Sequence, residues 1–159
     1  MDKQKTKLIL AADHAGFALK ESVKNFLTEK GYTILDVGTH ELIPLDDFPV
    51  YMAAAAMKVA EDLEGNTKAI LFGGSGQGEA MVANRFPGVR AAVWYGDSSR
   101  PSLDIIKLSR EHNDANVLSV GARFVTEEQT KNAVELWLGT AFSTEEKYKR
   151  RCDQIDAIE

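Results

Sequence analysis

Short apolar runs alternate along the whole chain with stretches that carry apolar residues at helical spacing. The runs fit short strands, and the unbroken apolar run 69–72 fits a strand buried on both faces of a parallel sheet. The stretches between them fit amphipathic helices, as with Phe17, Val23 and Leu27. The predicted strands are 7–12, 32–36, 69–72, 89–94 and 117–120, and the predicted helices are 17–30, 49–64, a short one from 79, 103–111, one from Thr126 and a charged last one over about 143–159.

Strands that alternate with helices in this way predict an α/β fold, with a five-stranded parallel sheet and helices on both faces. No internal repeat or linker interrupts the 159 residues, so one domain over 1–159 is expected. The last helix is polar on most of its surface, and Ile155 and Ile158 give it only a thin apolar stripe. Such a helix is expected to pack on another subunit or to lie on the surface.

The charge and the cysteine count exclude several classes of function. A net charge of −5 gives no basic surface of the kind that nucleic-acid-binding proteins carry. The apolar run after the N-terminus has about five residues, which is too short for a membrane span or a signal peptide. A single cysteine, Cys152, rules out an internal disulfide framework, and the three histidines lack metal-ligand spacing such as H-x-x-x-H. We therefore expect a cytoplasmic protein with no metal, membrane or nucleic-acid partner.

A glycine-rich loop, Gly73-Gly-Ser-Gly-Gln-Gly-Glu79, follows the third predicted strand. It is not a Walker A loop, because Gly78 is followed by an acid rather than by lysine and serine or threonine. It is not a dinucleotide-binding loop either, since its spacing is G-x-G-x-G. A carboxylate in the first turn of the helix would repel a phosphate. The loop is therefore expected to hold a neutral or transiently anionic group, as in proton abstraction beside a carbonyl. The alternative is that Glu79 only complements the helix dipole.

Polar residues elsewhere in the chain are further candidates for chemistry. Asp13 and His14 end the first strand at the same edge of the sheet as the glycine-rich loop, although Asp13 would also suit a helix cap. The stretch His112-Asn113-Asp114 precedes the fifth strand, which places it at the opposite edge, where it could serve the site of a neighbouring subunit. Arg123 and the basic run 147–151 suit an anion site, and the alternative for the run is a solvated helix face.

Short motifs in a fixed order give the chain a resemblance to a known family. They are Ala12-Asp-His-Ala-Gly-Phe17, Asp36-Val-Gly-Thr39, Asp47-Phe-Pro49, Gly73-Gly-Ser-Gly-Gln-Gly-Glu79, Ala83-Asn-Arg85, Arg110-Glu-His-Asn-Asp114 and Gly121-Ala-Arg123. The set is similar to that of the ribose-5-phosphate isomerase B family, which also includes the galactose-6-phosphate isomerase subunits. The resemblance implies a Rossmann-like three-layer α/β/α sandwich. It also implies a homodimer, in some members paired into tetramers, with shared active sites and the C-terminal helix packed on the partner.

The resemblance further implies aldose–ketose isomerisation of ribose 5-phosphate and ribulose 5-phosphate through an enediolate, without a metal or an organic cofactor. One branch of the family uses a cysteine as the base, at the position that matches Gly73. The other branch uses a glutamate that matches Glu79, so Glu79 is expected to be the base. A base near neutral pH gains from a raised pKa, whereas a helix N-terminus lowers it, so burial has to outweigh the dipole.

By resemblance, the catalytic residues are Glu79, Ser75, His112 and Asp13, and the substrate-binding residues are His14, Gly74, Gly76, Gly78, Asn113, Arg123, Lys147 and Arg151. Ser75 and the loop amides would stabilise the enediolate. His112 would assist opening of the sugar ring and reach the partner's site, with Asp13 near the ring oxygen. The basic members of the second set would hold the phosphate, and Asn113 would orient the sugar hydroxyls.

Two departures from the family pattern leave the identity of the sugar substrate open. Lys147-Tyr148 stands where the family often has arginine and histidine, and lysine binds phosphate only as a point charge. The segment 94–107, which contains Arg100, is longer than usual and could reshape the sugar pocket. The alternatives are an isomerase of a six-carbon sugar phosphate, of the galactose 6-phosphate or allose 6-phosphate type, and a non-catalytic sugar-phosphate-binding module. The module would be expected to lack Glu79 or His112, and both are present.

Overall fold

The computed structural model describes residues 6–96 and 103–158, apart from the side chains of Leu103 and Asp104. Its strands are β1 (Lys7–Ala12), β2 (Thr33–Asp36), β3 (Thr67–Gly73), β4 (Ala91–Trp94) and β5 (Val117–Gly121). Its helices are α1 (Phe17–Glu29), α2 (Phe48–Ala60), α3 (Gln77–Ala83), α4 (Leu103–Glu111), α5 (Glu127–Gly139) and α6 (Glu146–Asp156). The order of the elements is the predicted one. Residues 97–102 of the long segment, with Arg100, lie outside the described residues.

The five strands form one parallel sheet in the order β2-β1-β3-β5-β4, which confirms the predicted α/β class. The chain leaves β1 toward β2 on one side and reaches β3 on the other side. The carboxyl ends of β1 and β3 therefore flank the point where the strand order reverses. Ligands of open α/β sheets bind at such a point, because the loops from the two strands diverge there and leave a crevice.

The sheet is covered on both faces, and the alternation of side chains along β3 shows how. Ile70 and Phe72 belong to a core that also includes residues of α1, α4 and α5. Ala69 and Leu71 point the other way, into a core shared with α2 and α3. Successive side chains of a strand face opposite sides of the sheet, so an unbroken apolar run fills both cores at once. This arrangement is the predicted three-layer sandwich.

Helix boundaries follow local side-chain hydrogen bonds. Thr126 and Gln129 form a capping box, with Gln129 N donating to Thr126 Oγ1 at 3.2 Å and Thr126 N donating to Gln129 Oε1 at 2.8 Å, as expected for the start of α5. The predicted end of α2 near 64 is wrong, because the helix ends at Ala60. Asp62 accepts the backbone N–H of Thr67 at 2.6 Å and builds a turn that competes with the helix.

The C-terminal helix α6 is shorter than the predicted 143–159, and it lies on its own chain. Cys152 is its buried residue, and Asp156 near its end receives two hydrogen bonds from Arg90. Its packing on a partner subunit stays a prediction. None of the helices in the described part of the chain is long enough and apolar enough to cross a membrane.

Candidate active site

Three segments at the carboxyl edge of the sheet, together with Phe48 at the start of α2, surround a cavity of about 290 Å³. The glycine-rich loop after β3 is held against the segment after β5, because Ala122 N donates to Gly73 O at 2.8 Å and Arg123 N donates to Gly74 O at 3.2 Å. The third segment is the end of β1. The cavity is lined by Asp13, His14, Ala15, Phe48, Gly74, Ser75, Gly78, Glu79, Arg123 and Phe124. Most of the residues predicted for one edge are thus brought together.

The glycine-rich loop turns sharply into α3 at Gly76. Gly76 has φ +78°, a left-handed conformation that glycine adopts without steric cost. Ser119 Oγ donates to the carbonyl oxygen of Gly76 at 2.7 Å, which fixes the turn to β5. Gln77 and Gly78 then start the helix, so that Glu79 lies in its first turn and is only 5% exposed. Ser75 lies half-buried on the rim, and its Oγ accepts the N–H of Gln77 at 3.3 Å.

Burial raises the pKa of the Glu79 carboxyl above its ordinary value of 4.5. The neighbouring negative charge of Asp13 raises it further, whereas backbone N–H groups of the helix start and the guanidinium of Arg123 lower it. Burial is the largest of these effects, so the net shift is upward. The opposing pull of the helix dipole, expected from the sequence, is therefore outweighed.

Gly73 leaves the space that the Glu79 carboxylate occupies. A Cβ atom on residue 73 would overlap Oε1 and Cδ of Glu79. The Glu79 side chain thus folds back over the end of β3, and any larger residue at 73 would displace it. Glycine at this position allows the Glu79 carboxylate to approach the backbone closely. It does not serve a left-handed backbone conformation, since its φ is not positive.

Asp13 lines the cavity and also holds the turn before α1, although the N-cap of that helix is Gly16. Its Oδ1 accepts the N–H groups of Ala15 at 3.0 Å and Gly16 at 3.3 Å, so it caps the turn that leads into α1. Its Oδ2 lies 3.8 Å from Nδ1 of His14. Asp13 is 6% exposed and lines the cavity, so the capping role leaves it at the site.

Asp46 contacts the predicted site residue His14, and it was not considered in the sequence analysis. Its Oδ1 accepts the backbone N–H of His14 at 2.8 Å and lies 2.8 Å from Nδ1 of the same histidine. Burial alone would raise the pKa of Asp46, but these hydrogen bonds lower it below 3.8. An ionised Asp46 accepts a hydrogen bond from Nδ1–H, which leaves Nε2 of His14 for a ligand. Its only sequence signal was an acid in the loop before α2, and no local pattern predicts a contact with residue 14.

Asp13, His14 and Asp46 also form a group with the chemistry of metal ligands. Their ligand-type atoms lie within 4.8 Å of one another, which is true of no other such group among residues 6–96 and 103–158. The hydrogen bonds of His14 to Asp46 account for much of this closeness. The histidine spacing examined in the sequence could not reveal the group, because it contains one histidine and its third member, Asp46, comes from a different loop.

The remaining predicted residues lie at the opposite edge of the sheet. His112 and Asn113 follow α4 and precede β5, and His112 lines a separate cavity of about 580 Å³. Lys147 and Arg151 are exposed on α6, and Lys147 pairs with Glu145 at 2.7 Å. One chain therefore holds two groups of predicted site residues, which do not meet within that chain.

Comparison with known proteins covers nearly the whole chain. The family model described as Ribose/Galactose Isomerase matches residues 8–155. Ribose-5-phosphate isomerase B of Escherichia coli (strain K12) is 37% identical over 154 residues, which cover 96% of this chain and 96% of the relative. Ribose-5-phosphate isomerase B of Mycobacterium tuberculosis (strain H37Rv) is 33% identical over 153 residues, which cover 96% of this chain and 90% of the relative.

Solved structures agree with these sequence matches. Ribose-5-phosphate isomerase B from Mycoplasma genitalium, solved with bound ribulose-5-phosphate, is similar with a TM-score of 0.87 and 30% identity, over 95% of this chain and 94% of that one. The Thermotoga maritima enzyme of the same name gives a TM-score of 0.84 and 33% identity, over 96% of this chain and 99% of that one. The chain therefore belongs to the ribose/galactose isomerase family.

Proposed function

We propose that this chain is an aldose–ketose isomerase that interconverts ribose 5-phosphate and ribulose 5-phosphate through an enediolate. The relatives that cover almost all of the chain carry the name ribose-5-phosphate isomerase B, and one similar structure contains bound ribulose-5-phosphate. The observation that carries the proposal is the Glu79 carboxylate, buried beside the cavity with a raised pKa. Such a group is suited to move a proton near neutral pH.

In this mechanism, Glu79 takes the proton from C2 of the aldose and delivers it to C1, and the reverse reaction uses the same group. The negative charge that develops on the enediolate oxygen needs donors that are already in place. The amides of the glycine-rich loop, the Ser75 hydroxyl and the start of α3 provide such donors at the cavity. His14, oriented by Asp46, and Arg123 would contact the phosphate from the same side.

The overlap at residue 73 supports the glutamate as the base. In the family branch with a cysteine at this position, the side chain would start where the Glu79 carboxylate lies in this chain. Gly73 and Glu79 therefore fit together as one arrangement of the base. Cys152 is buried on α6, and burial raises the pKa of its thiol, which does not favour a thiolate base there.

The predicted site residues are divided between two edges of the sheet, and this separation supports a homodimer with shared sites. His112 and Asn113 are predicted to open the ring and orient the sugar, yet they lie at the edge away from Glu79. In the proposed dimer, the edge of one subunit that carries His112 faces the edge of its partner that carries Glu79. Lys147 and Arg151 then reach the phosphate in the partner's site. The cytoplasmic location expected from the sequence is part of the same proposal.

The test is exchange of solvent deuterium at C2 of ribose 5-phosphate and at C1 of ribulose 5-phosphate, in the wild type and in Glu79→Gln. Loss of exchange and isomerisation by a factor of about 10² or more in Glu79→Gln would support Glu79 as the base. Glu128→Gln makes the same chemical change at an exposed position on α5 and should leave both rates unchanged.

Other outcomes separate the parts of the proposal. Ordinary exchange in Glu79→Gln would remove Glu79 from the role of base. Absence of exchange in the wild type would contradict a ribose 5-phosphate isomerase. Galactose 6-phosphate and allose 6-phosphate, tested in the same assay, would then distinguish a six-carbon isomerase from a non-catalytic binding module.

A further inference from the structure

The imidazole of His112 is held by α6 rather than by hydrogen bonds to its ring. The rings of His112 and Tyr148 are stacked, with centroids 4.1 Å apart and planes inclined by 10°. One turn further along α6, Cys152 Sγ donates to the backbone carbonyl of His112 at 3.7 Å. Within the part of the chain that the structure describes, neither ring nitrogen of His112 has a hydrogen-bond partner.

Asp156, a third residue of α6, attaches the helix to the rest of the chain through Arg90. Tyr148, Cys152 and Asp156 are spaced by four residues, so they lie on one face of the helix. Arg90 Nη1 donates to both carboxylate oxygens of Asp156, at 2.9 and 2.7 Å. The helix is therefore attached to the body of the chain beyond its stacked end, and this attachment limits its movement relative to His112.

Arg90 also fixes the turn that follows the histidine. Its Nε donates to the carbonyl of Asn113 at 2.9 Å, and its Nη2 donates to Asp114 Oδ2 at 3.2 Å. Asp114 has φ +43°, an unusual conformation for a residue with a side chain. Arg110 Nη1 donates to the second carboxylate oxygen of Asp114 at 2.6 Å. The backbone around His112 is thus well fixed, and the orientation of its ring is left to the stack.

We propose that Tyr148 is a positioning residue for His112, and that the parallel stack fixes the plane of the imidazole for opening of the sugar ring. A parallel stack contacts the face of the imidazole and leaves both nitrogens on its edge free. Proton transfer to or from a sugar oxygen requires that one of these nitrogens points at the oxygen. Both rings line the cavity of about 580 Å³ at this edge. The inference rests on the proposed function, in which His112 acts on the ring.

The substrate pair allows ring opening to be separated from proton transfer at carbon. Ribose 5-phosphate is mostly a closed ring in water. Ribulose 5-phosphate stays open, because the C5 hydroxyl that would close a five-membered ring carries the phosphate. Exchange of its C1 protons with solvent therefore needs the base but does not need ring opening. A residue that acts only through His112 should affect isomerisation and spare this exchange.

The experiment compares Tyr148→Leu and Tyr148→Phe with the wild-type protein. Tyr148→Leu should lower kcat/KM for ribose 5-phosphate by about tenfold, the loss expected when a stacked contact is removed, and leave C1 exchange of ribulose 5-phosphate within about twofold. Tyr148→Phe keeps the ring and should retain both activities. The proposal would be overturned if Tyr148→Leu isomerised ribose 5-phosphate as fast as the wild type. It would also be overturned if isomerisation and C1 exchange fell by the same factor.

Proton NMR of the histidine rings tests the stack without using activity. The chain has three histidines, so their ring protons can be resolved and assigned. The ring current of the stacked aromatic should shift the His112 ring protons upfield in the wild type and in Tyr148→Phe. Tyr148→Leu should remove that shift, and an unchanged shift would overturn the stacking argument. His112→Ala with undiminished isomerisation, or a wild type without exchange, would instead contradict the proposed function.

Discussion

Replacing Gly73 by alanine would test the placement of the base without altering the base itself. A Cβ on residue 73 would lie 2.6 Å from Cγ of Glu79, closer than such contacts occur, and would overlap its carboxylate. Since Gly73 has no positive φ, alanine can adopt its backbone conformation, and Glu79 has to give way instead. Its Cγ must retreat by several tenths of an ångström. The carboxylate, whose Oε1 would lie closer to that Cβ than Cγ does, must move further still. A misplacement of about 1 Å can already cost roughly 10²-fold in rate.

The assay is steady-state isomerisation of ribose 5-phosphate together with urea unfolding of the same samples. We expect kcat of Gly73→Ala to fall by about 10²-fold. The free energy of unfolding should fall by only about 1 kcal/mol, because a flexible side chain can turn aside. Gly139→Ala is the matched control for stability, since no atom lies within 4 Å of its added Cβ, and it should not lower the free energy of unfolding.

A folded Gly73→Ala protein with wild-type kcat would refute this reasoning. It would mean that the carboxylate reaches the substrate equally well from another rotamer, or that Glu79 is not the base. Loss of activity together with loss of folding would be a different failure. In that case, the overlap would be relieved by the backbone of β3 rather than by the Glu79 side chain.

Two further predictions follow from the pKa shifts at the site. The pKa of Glu79 is raised in the folded chain, so its ionisation destabilises the fold as the pH rises above 4.5 through the folded value. Glu79→Gln should therefore be more stable than the wild type at neutral pH and equally stable below pH 4.5, in urea unfolding at both pH values. The pKa of Asp46 is lowered, so its stabilising effect is present above pH 3.8 and is lost as the pH falls through the folded value. Asp46→Asn should raise KM by roughly tenfold through loss of the charged acceptor for His14, with kcat nearly unchanged. An unchanged KM would mean that His14 does not hold the phosphate.

The local pattern predicted the elements and the fold class because both depend on neighbouring residues. The strand cores and the start of α5 at Thr126 follow directly from apolar runs and from cap chemistry. The strand order could not be predicted in this way, because alternation fixes the direction of the strands and not their order. The end of α2 was predicted too far along the chain, since the turn built by Asp62 was not considered.

In the candidate site, too, local patterns predicted some residues, and contacts between distant residues were missed. Glu79, Ser75 and Asp13 were found because each follows a strand at the edge where ligands bind. Asp46 was missed because its partner lies 32 residues away, and no spacing rule connects the two. The contact between His112 and Tyr148 was equally invisible, since it depends on where α6 packs. Sequence patterns thus located the candidate groups, and the structure added Asp46 and Tyr148 as residues in contact with two of them.

The overlap between Gly73 and Glu79 also restricts how the two branches of the family can interconvert. A cysteine cannot be added at residue 73 while the Glu79 side chain fills that space. In the proposed mechanism, removal of the glutamate alone would leave no base, so each single substitution would give a protein with a damaged site. A lineage that changed from one base to the other would have to cross such an intermediate or acquire both substitutions together, so the choice of base would tend to persist within each branch.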